Sequence, residues 1–204
     1  MCILGTNNKG ETEMTQKYKI TDETKKIAGT TFYRIEALKN FGDVKAGDKG
    51  GWIERKGNLS QAGNCWVGDN AQVHGTAKVS DNAQVYGNAW VYGKARVSGD
   101  AVVRHKAVVS GTAWVYDNAV VNGNAVVIGK AVVSDNAVVS DNAQVNGNAR
   151  VFGNAKVNGN ALVFGDAVVS GDALVSKGHV NGKAEVYGTA KAQVYGKAKV
   201  YGMD

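Results

Sequence analysis

A valine recurs at every sixth residue from Val67 to Val175, nineteen times without a gap. Two places before each valine stands Ala, from Ala71 to Ala173, eighteen times in succession; Cys65 holds that place before Val67. The unit reads A-x-V-x-[G/D]-[N/D/K/T], as in Ala83-Gln84-Val85-Tyr86-Gly87-Asn88. Apolar residues two apart point to the same side of a strand, and the residue between them points outward. The three residues that follow must turn a corner. Gly, Asn and Asp there tolerate left-handed backbone. A strand this short is stable only if the chain coils and stacks equivalent strands ~4.8 Å apart. Three hexads then make a triangular coil of about 18 residues, with Val and Ala inside and Asn stacked along the corners, where its amides can bond as ladders.

Composition agrees with this architecture. The chain holds 31 Val, 27 Gly and 26 Ala, five Leu and no Pro. Helix bundles need Leu, and a stacked ladder has no place for a residue lacking an N–H donor. Apolar residues are 44% of the chain and charges are mixed, which excludes wholesale disorder. Two widely spaced cysteines exclude a disulfide scaffold and fit a reducing compartment. No apolar run approaches the ~20 residues of a membrane span, and the start lacks the pattern of a secretory leader. A net charge of +6 from 24 basic and 18 acidic residues favours solubility, and nucleic acid is not an expected partner. The glycines follow the corner period, and no phosphate-loop motif GxxxxGK[ST] occurs.

The repeat resembles the hexapeptide-repeat proteins, whose fold is a single-stranded left-handed parallel β-helix; the handedness is implied by that resemblance alone. The stretch Phe41-Gly42-Asp43-Val44-Lys45-Ala46-Gly47-Asp48, with Gly50-Gly51-Trp52-Ile53, Leu59-Ser60-Gln61 and Gly63-Asn64-Cys65-Trp66, is similar to the opening of the YdcK-like family of bacterial hexapeptide-repeat proteins. Regular A-x-V-x-G-N repeats of this kind occur in phage and prophage genomes. The resemblances imply a phage or prophage accessory or structural protein of the bacterial cytoplasm, assembled as a homo-oligomer, most commonly a trimer. Many hexapeptide-repeat proteins are acyl-CoA-dependent acyltransferases with a His as general base and CoA held between subunits, so acetyl-CoA is the cofactor that an enzymatic reading implies.

The expected organisation is a disordered tail over 1–16, a β-hairpin cap over 17–43 and a β-helix over 44–204. The helix is regular from 65 to 175 and irregular from 176 to 204. Strands are expected at 17–20 and 31–38, around a Lys-rich turn containing Gly29. Val44, Ile53 and Leu59 are expected to form a first irregular coil, and Val44 to Val200 spans just under nine coils. A cap is needed because a first coil otherwise exposes unpaired backbone and apolar surface.

Adding about 18 residues per turn sorts the outward strand residues into three faces. The first is Trp66, Gln84, Val102, Val120, Val138, Lys156, Leu174. The second is Gln72, Trp90, Val108, Val126, Gln144, Leu162. The third is Lys78, Arg96, Trp114, Val132, Arg150, Val168. Val102, Val108, Val120, Val126, Val132 and Val138 form an apolar belt that a lone rod would expose, so they are the expected oligomer interface. Trp90, Tyr92, Tyr86, Arg96, Trp114 and Tyr116 are candidates for a small ligand, since aromatic platforms stack sugars or bases and a cation adds charge recognition. A host protein is the other partner class considered. No catalytic group stands out. His74 and His105 are the weak candidates for a general base, both on corners of an uninterrupted repeat, whereas catalytic groups favour loops that leave the scaffold. Three well-separated histidines offer no metal triad. The expected function is a non-catalytic scaffold or binding module; the alternatives are an acyltransferase, or a protein that sequesters a small ligand or nucleotide between subunits.

Overall fold

The computed structural model describes residues 16–188 and 199–201, so the tail expected over 1–16 lies outside it except for Gln16. The chain is a parallel β-solenoid of about eight turns, each about 18 residues long, carrying three parallel sheets. Two-residue strands recur from Trp66–Val67 to His179–Val180, each paired in register with its equivalent on an adjoining turn and, inside the stack, with one above and one below. Val102 pairs with both Gln84 and Val120, for example. The three faces are those the period predicts. Every inward Ala and Val of the hexads between Ala71 and Val175 is buried, all but Val79 completely.

The left-handed residue is always the fifth of the hexad. All eighteen such positions from Asp69 to Gly171 have positive φ, between 51° and 76°. At Gly153 (φ 71°), a Cβ would also stand 2.9 Å from the Gly171 nitrogen on the next turn. Aspartate in this place has a use of its own. Asp69, Asp81, Asp135 and Asp141 each accept a hydrogen bond from the corresponding glycine N–H one turn on. The sixth residue builds the expected ladders. Asn118 donates to Asn136, Asn136 to Asn154, and Asn154 to Asp172; on another corner Asn124 donates to Asn142 and Asn142 to Asn160.

The N-terminal region differs from the expected layout. Strand β1 (Tyr18–Ile27) is much longer than four residues and runs through the lysines to a tight turn at Ala28-Gly29. It pairs antiparallel with β2 (Thr30–Ala37), and β2 with β3 (Lys49–Ile53). The far edge of β3 then pairs in parallel with Gln72–Val73, so the hairpin extends the second face. Val44 is not part of a coil; it pairs with Phe41 in a small antiparallel loop. The stack starts at Ile53 and Leu59, which accounts for about eight turns rather than nearly nine. The pairing of Ile53 with Val73 makes this first turn twenty residues long, and a 3₁₀ turn at Lys56–Asn58 lies within it. Gly50 and Gly51 lay bare backbone across the open end of the core. A Cβ on Gly50 would meet Ile35 and Trp66 side chains at 2.5 Å.

Past Val175 the slip is local. Val163 pairs with Val180, one residue short of a full turn, and stacking resumes. Glu185–Tyr187 then pairs in parallel with Lys199–Tyr201, fourteen positions further along the sequence. Among the described residues no helix is long and apolar enough to cross a membrane.

Candidate functional site

The aromatic and basic candidates separate into three groups, one per face or adjoining corner. Trp66 leaves the surface altogether. It is 4% exposed, with Phe41 edge-on at 5.5 Å and Tyr18 at 6.4 Å, because the cap loop covers it. Tyr86, on the corner below, is half-buried and donates its hydroxyl to Gln84 Oε1 at 2.7 Å. Burial holds its phenol above the usual tyrosine range, aided by Asp43 and Asp69.

His74, Trp90 and Tyr92 meet where the cap joins the second face. The His74 ring stacks on Tyr92 (5.1 Å between centroids, planes 8° apart) and lies edge-on to Trp90 at 6.5 Å. Phe32 of β2 reaches it at 5.3 Å. Glu54, the last partner, binds the Gly75 N–H through Oε2 at 2.6 Å and Arg55 through Oε1 at 2.7 Å. Burial pushes the imidazole below its ordinary value and Glu54 pulls it partly back. For Glu54, burial raises the carboxyl, but the Gly75 N–H, Arg55 and His74 more than offset it and leave it below its ordinary value. Phe32 and Glu54 escape sequence reasoning because they reach His74 only through the irregular turn. The pairing of Ile53 with Val73 is the signal that would have found Glu54.

His105 stands apart. It occupies the left-handed corner place at φ 62°, exposed between Arg104 and Lys106. His179 lies far down the second face, against Phe164. Among the described residues no group of three or more His, Cys, Asp or Glu could hold a metal ion.

The third face brings the rest together. Lys78, Arg96 and Trp114 occupy three consecutive turns. The Arg96 guanidinium sits 5.1 Å from the Trp114 ring centre, and Tyr116 meets that indole edge-on at 6.4 Å. Lys78, Arg96 and Trp114, with Ser80, Asp81 and Ser98, line a surface hollow of about 260 Å³. Lys78 was not among the ligand candidates; its place one turn above Arg96 is the signal that identifies it.

The belt valines divide unevenly. Val102, Val120 and Val138 stack on consecutive turns of the first face, and Val108 and Val126 on the second. On the third face Val132 stands alone between Trp114 and Arg150. All six are half-buried, because each turn shields the next.

Fold and repeat together define a parallel β-solenoid of the hexad-repeat kind. Residues 77–93, 95–111 and 113–129 each match the model of the YdcK β-solenoid repeat. An alignment 60 residues long, covering 26% of the chain, is 38% identical to the uncharacterized acetyltransferase YdcK of Escherichia coli strain K12. It covers 18% of that protein, so the chain spans under a fifth of the length of the curated relative it matches.

Proposed function

We propose that the chain is a non-catalytic β-solenoid module that assembles with copies of itself through the valine strips of its first and second faces. The observation that carries this reading is the uneven distribution of the belt. Two faces have valines on consecutive turns, and the third has its single central valine framed by charged and aromatic residues. A second copy suits such strips because both rods advance by the same rise per turn, so valines that align once align along the whole strip. About eight turns at ~4.8 Å give a face ~40 Å long, and a side of five or six residues is at most ~20 Å wide. One face against another then removes on the order of 1,200 Å² in total, enough for a specific interface. Two apolar faces per chain suit a ring in which each copy touches two neighbours, and the resemblance to hexapeptide-repeat proteins favours three. The same resemblance supports a phage or prophage accessory role in the bacterial cytoplasm. Light scattering is expected to give about three times the 21.4 kDa chain mass. Val120→Lys is expected to return the monomer with its β-sheet circular dichroism intact. A wild-type mass of one chain would sink the proposal.

An acyltransferase is the second reading, favoured by the similarity to the uncharacterized acetyltransferase YdcK and by a His74 whose imidazole burial holds below its ordinary value, with Glu54 opposing. The enclosure of the His74 ring by Phe32, Trp90 and Tyr92 argues instead for a role in the wall between cap and coil. Calorimetric titration with acetyl-CoA separates the two. Micromolar binding that His74→Ala abolishes would establish the enzymatic reading; absence of heat leaves the scaffold.

A further inference from the structure

We infer that the hollow on the third face is a binding site for carboxylate-bearing sugars, of the kind found in acidic polysaccharides. This goes beyond the self-assembly reading and does not rest on it, because the hollow lies on the face that lacks a valine strip.

The charge selects the ligand class. Lys78 and Arg96 stand on adjacent turns, exposed, and neither has an ion-pair partner among the described residues. Asp81 shares the hollow, with its Oδ2 held by the Gly99 N–H at 3.1 Å and the Ser80 hydroxyl at 3.2 Å. Two cations and one carboxylate leave a single surplus positive charge. A monoanion balances that, whereas a phosphate dianion meets an uncompensated Asp81. The planar fork of Arg96 pairs with a carboxylate through two parallel N–H donors.

Shape and polarity select the rest of the ligand. The hollow, at about 260 Å³, is smaller than the pockets that enclose drug-sized molecules and suits one ring. Trp114 is 45% exposed and offers an indole surface to the C–H face of a pyranose. Its orientation is fixed from two sides, by Arg96 and by Tyr116. The hydroxyls of Ser80 and Ser98 and the second oxygen of Asp81 supply both donors and acceptors for sugar hydroxyls.

A second cation–aromatic pair extends the site along the rod. Arg150 lies 5.2 Å from the Phe152 ring centre on the same face, three turns from Arg96, or ~14 Å at the ladder spacing. An acidic oligosaccharide laid along the face reaches both pairs; a single uronate reaches one.

Titration of the intact protein, followed by Trp fluorescence and calorimetry, tests this. The probes are galacturonate, a short oligogalacturonate, a neutral glucose oligomer of the same length, and inorganic phosphate. The oligogalacturonate is expected to bind at least about tenfold more tightly than the neutral oligomer or phosphate, and more tightly than the monomer. Arg96→Gln is expected to weaken both uronate probes about tenfold or more, Trp114→Ala both, and Arg150→Gln the oligomer alone. Val120→Lys is expected to bind as wild type does, which keeps this result separate from that of self-assembly. Equal affinity for charged and neutral oligomers, phosphate binding as tightly as uronate, or indifference to Arg96→Gln in a protein whose circular dichroism is unchanged would overturn the assignment.

Discussion

Between Cys65 and Val175 the backbone satisfies itself. The first N–H of a strand binds a carbonyl of the next turn, as Val102 binds Ala119 and Val120 binds Ala137, both at 2.9 Å. Side chains add chiefly the corner ladders, and those repeat. In the cap, single side chains do the same task once each. The Lys17 ammonium donates to the carbonyls of Ala62, Gly63 and Cys65 and to Cys65 Sγ, under the ring of Phe41. Asn58 donates to Gly75 and Ala77, Tyr18 to Lys56 and Leu59, and Gln61 ties Lys17 and Tyr18 to the first turn. A repeated solution is redundant and a unique one is not. In a solenoid each turn contacts only its neighbours, so damage should stay where it is made. The cap is therefore where one side chain has the largest local effect.

Lys17→Met is the strongest test of that contrast. It keeps the stem and removes the donor, leaving the buried Cys65 carbonyl and the part-buried carbonyls of Ala62 and Gly63 without a cation. An unpartnered buried acceptor costs ~1–3 kcal/mol, so a loss of about 3 kcal/mol is expected in urea denaturation. Hydrogen exchange should show faster opening from Tyr18 to Trp66 and unchanged protection around Val139. Equal loss of protection in both regions would show that cap and coils unfold as one unit. Ala119→Leu makes the reciprocal change. Ala119 is fully buried in the middle of the stack, and overpacking there is expected to cost about 1–3 kcal/mol. The loss should fall on the turns beside it and spare the cap.

A smaller effect separates two uses of one corner. Asp135 has φ 55° and its carboxylate accepts the Gly153 N–H at 2.9 Å. Asp135→Ala loses that bond and keeps a Cβ in left-handed backbone, at an expected cost of about 1–2 kcal/mol. Asp135→Gly loses the bond but relieves the backbone, so it is expected within about 0.5 kcal/mol of wild type. Thermal denaturation of the pair distinguishes these terms. Equal losses would mean that the hydrogen bond alone matters at this corner.

The same contrast sets what the sequence reveals. The coils are legible because a period of six fixes face, core and corner for every residue, down to the pairing of Val102 with Val120. It even places Arg96 one turn from Trp114. The period stops at Cys65, and legibility stops with it. Lys17 in a polar tract reads as solvated, yet it is 1% exposed. Trp66 reads as an outward residue because the repeat says so, and only the Phe41 loop, which has no period, covers it. The same holds for Phe32 and Glu54 at His74. Their contacts depend on β2 crossing to β3 and on a first turn two residues too long, neither of which periodicity encodes. The preference for Asp at some corners was also hidden, since any residue that tolerates left-handed backbone satisfies the pattern equally.

The smallest predicted effect lies at the junction of the two regions. Burial lowers His74 below its ordinary value of 6.5, with Glu54 opposing. The folded chain therefore binds fewer protons here than the unfolded chain once pH falls through 6.5, and stability must fall with it. The contribution of neutral His74 is complete above about 6.5 and is lost as pH drops toward the folded value. Glu54 acts lower. Its folded value lies below 4.5, so the carboxylate contribution is intact above 4.5 and lost beneath it. Between pH 7.5 and 5.5 the His74 imidazole should respond and the Glu54 carboxylate should not. Hydrogen exchange, corrected for intrinsic rates, is expected to show a modest loss of protection at the His74 and Gly75 amides and none between Val127 and Val151. His74→Gln should remove the pH response while leaving the Glu54–Gly75 bond in place. If the variant shows the same acid loosening, the response belongs to the cap as a whole, and the aromatic enclosure of His74 is packing without electrostatic consequence.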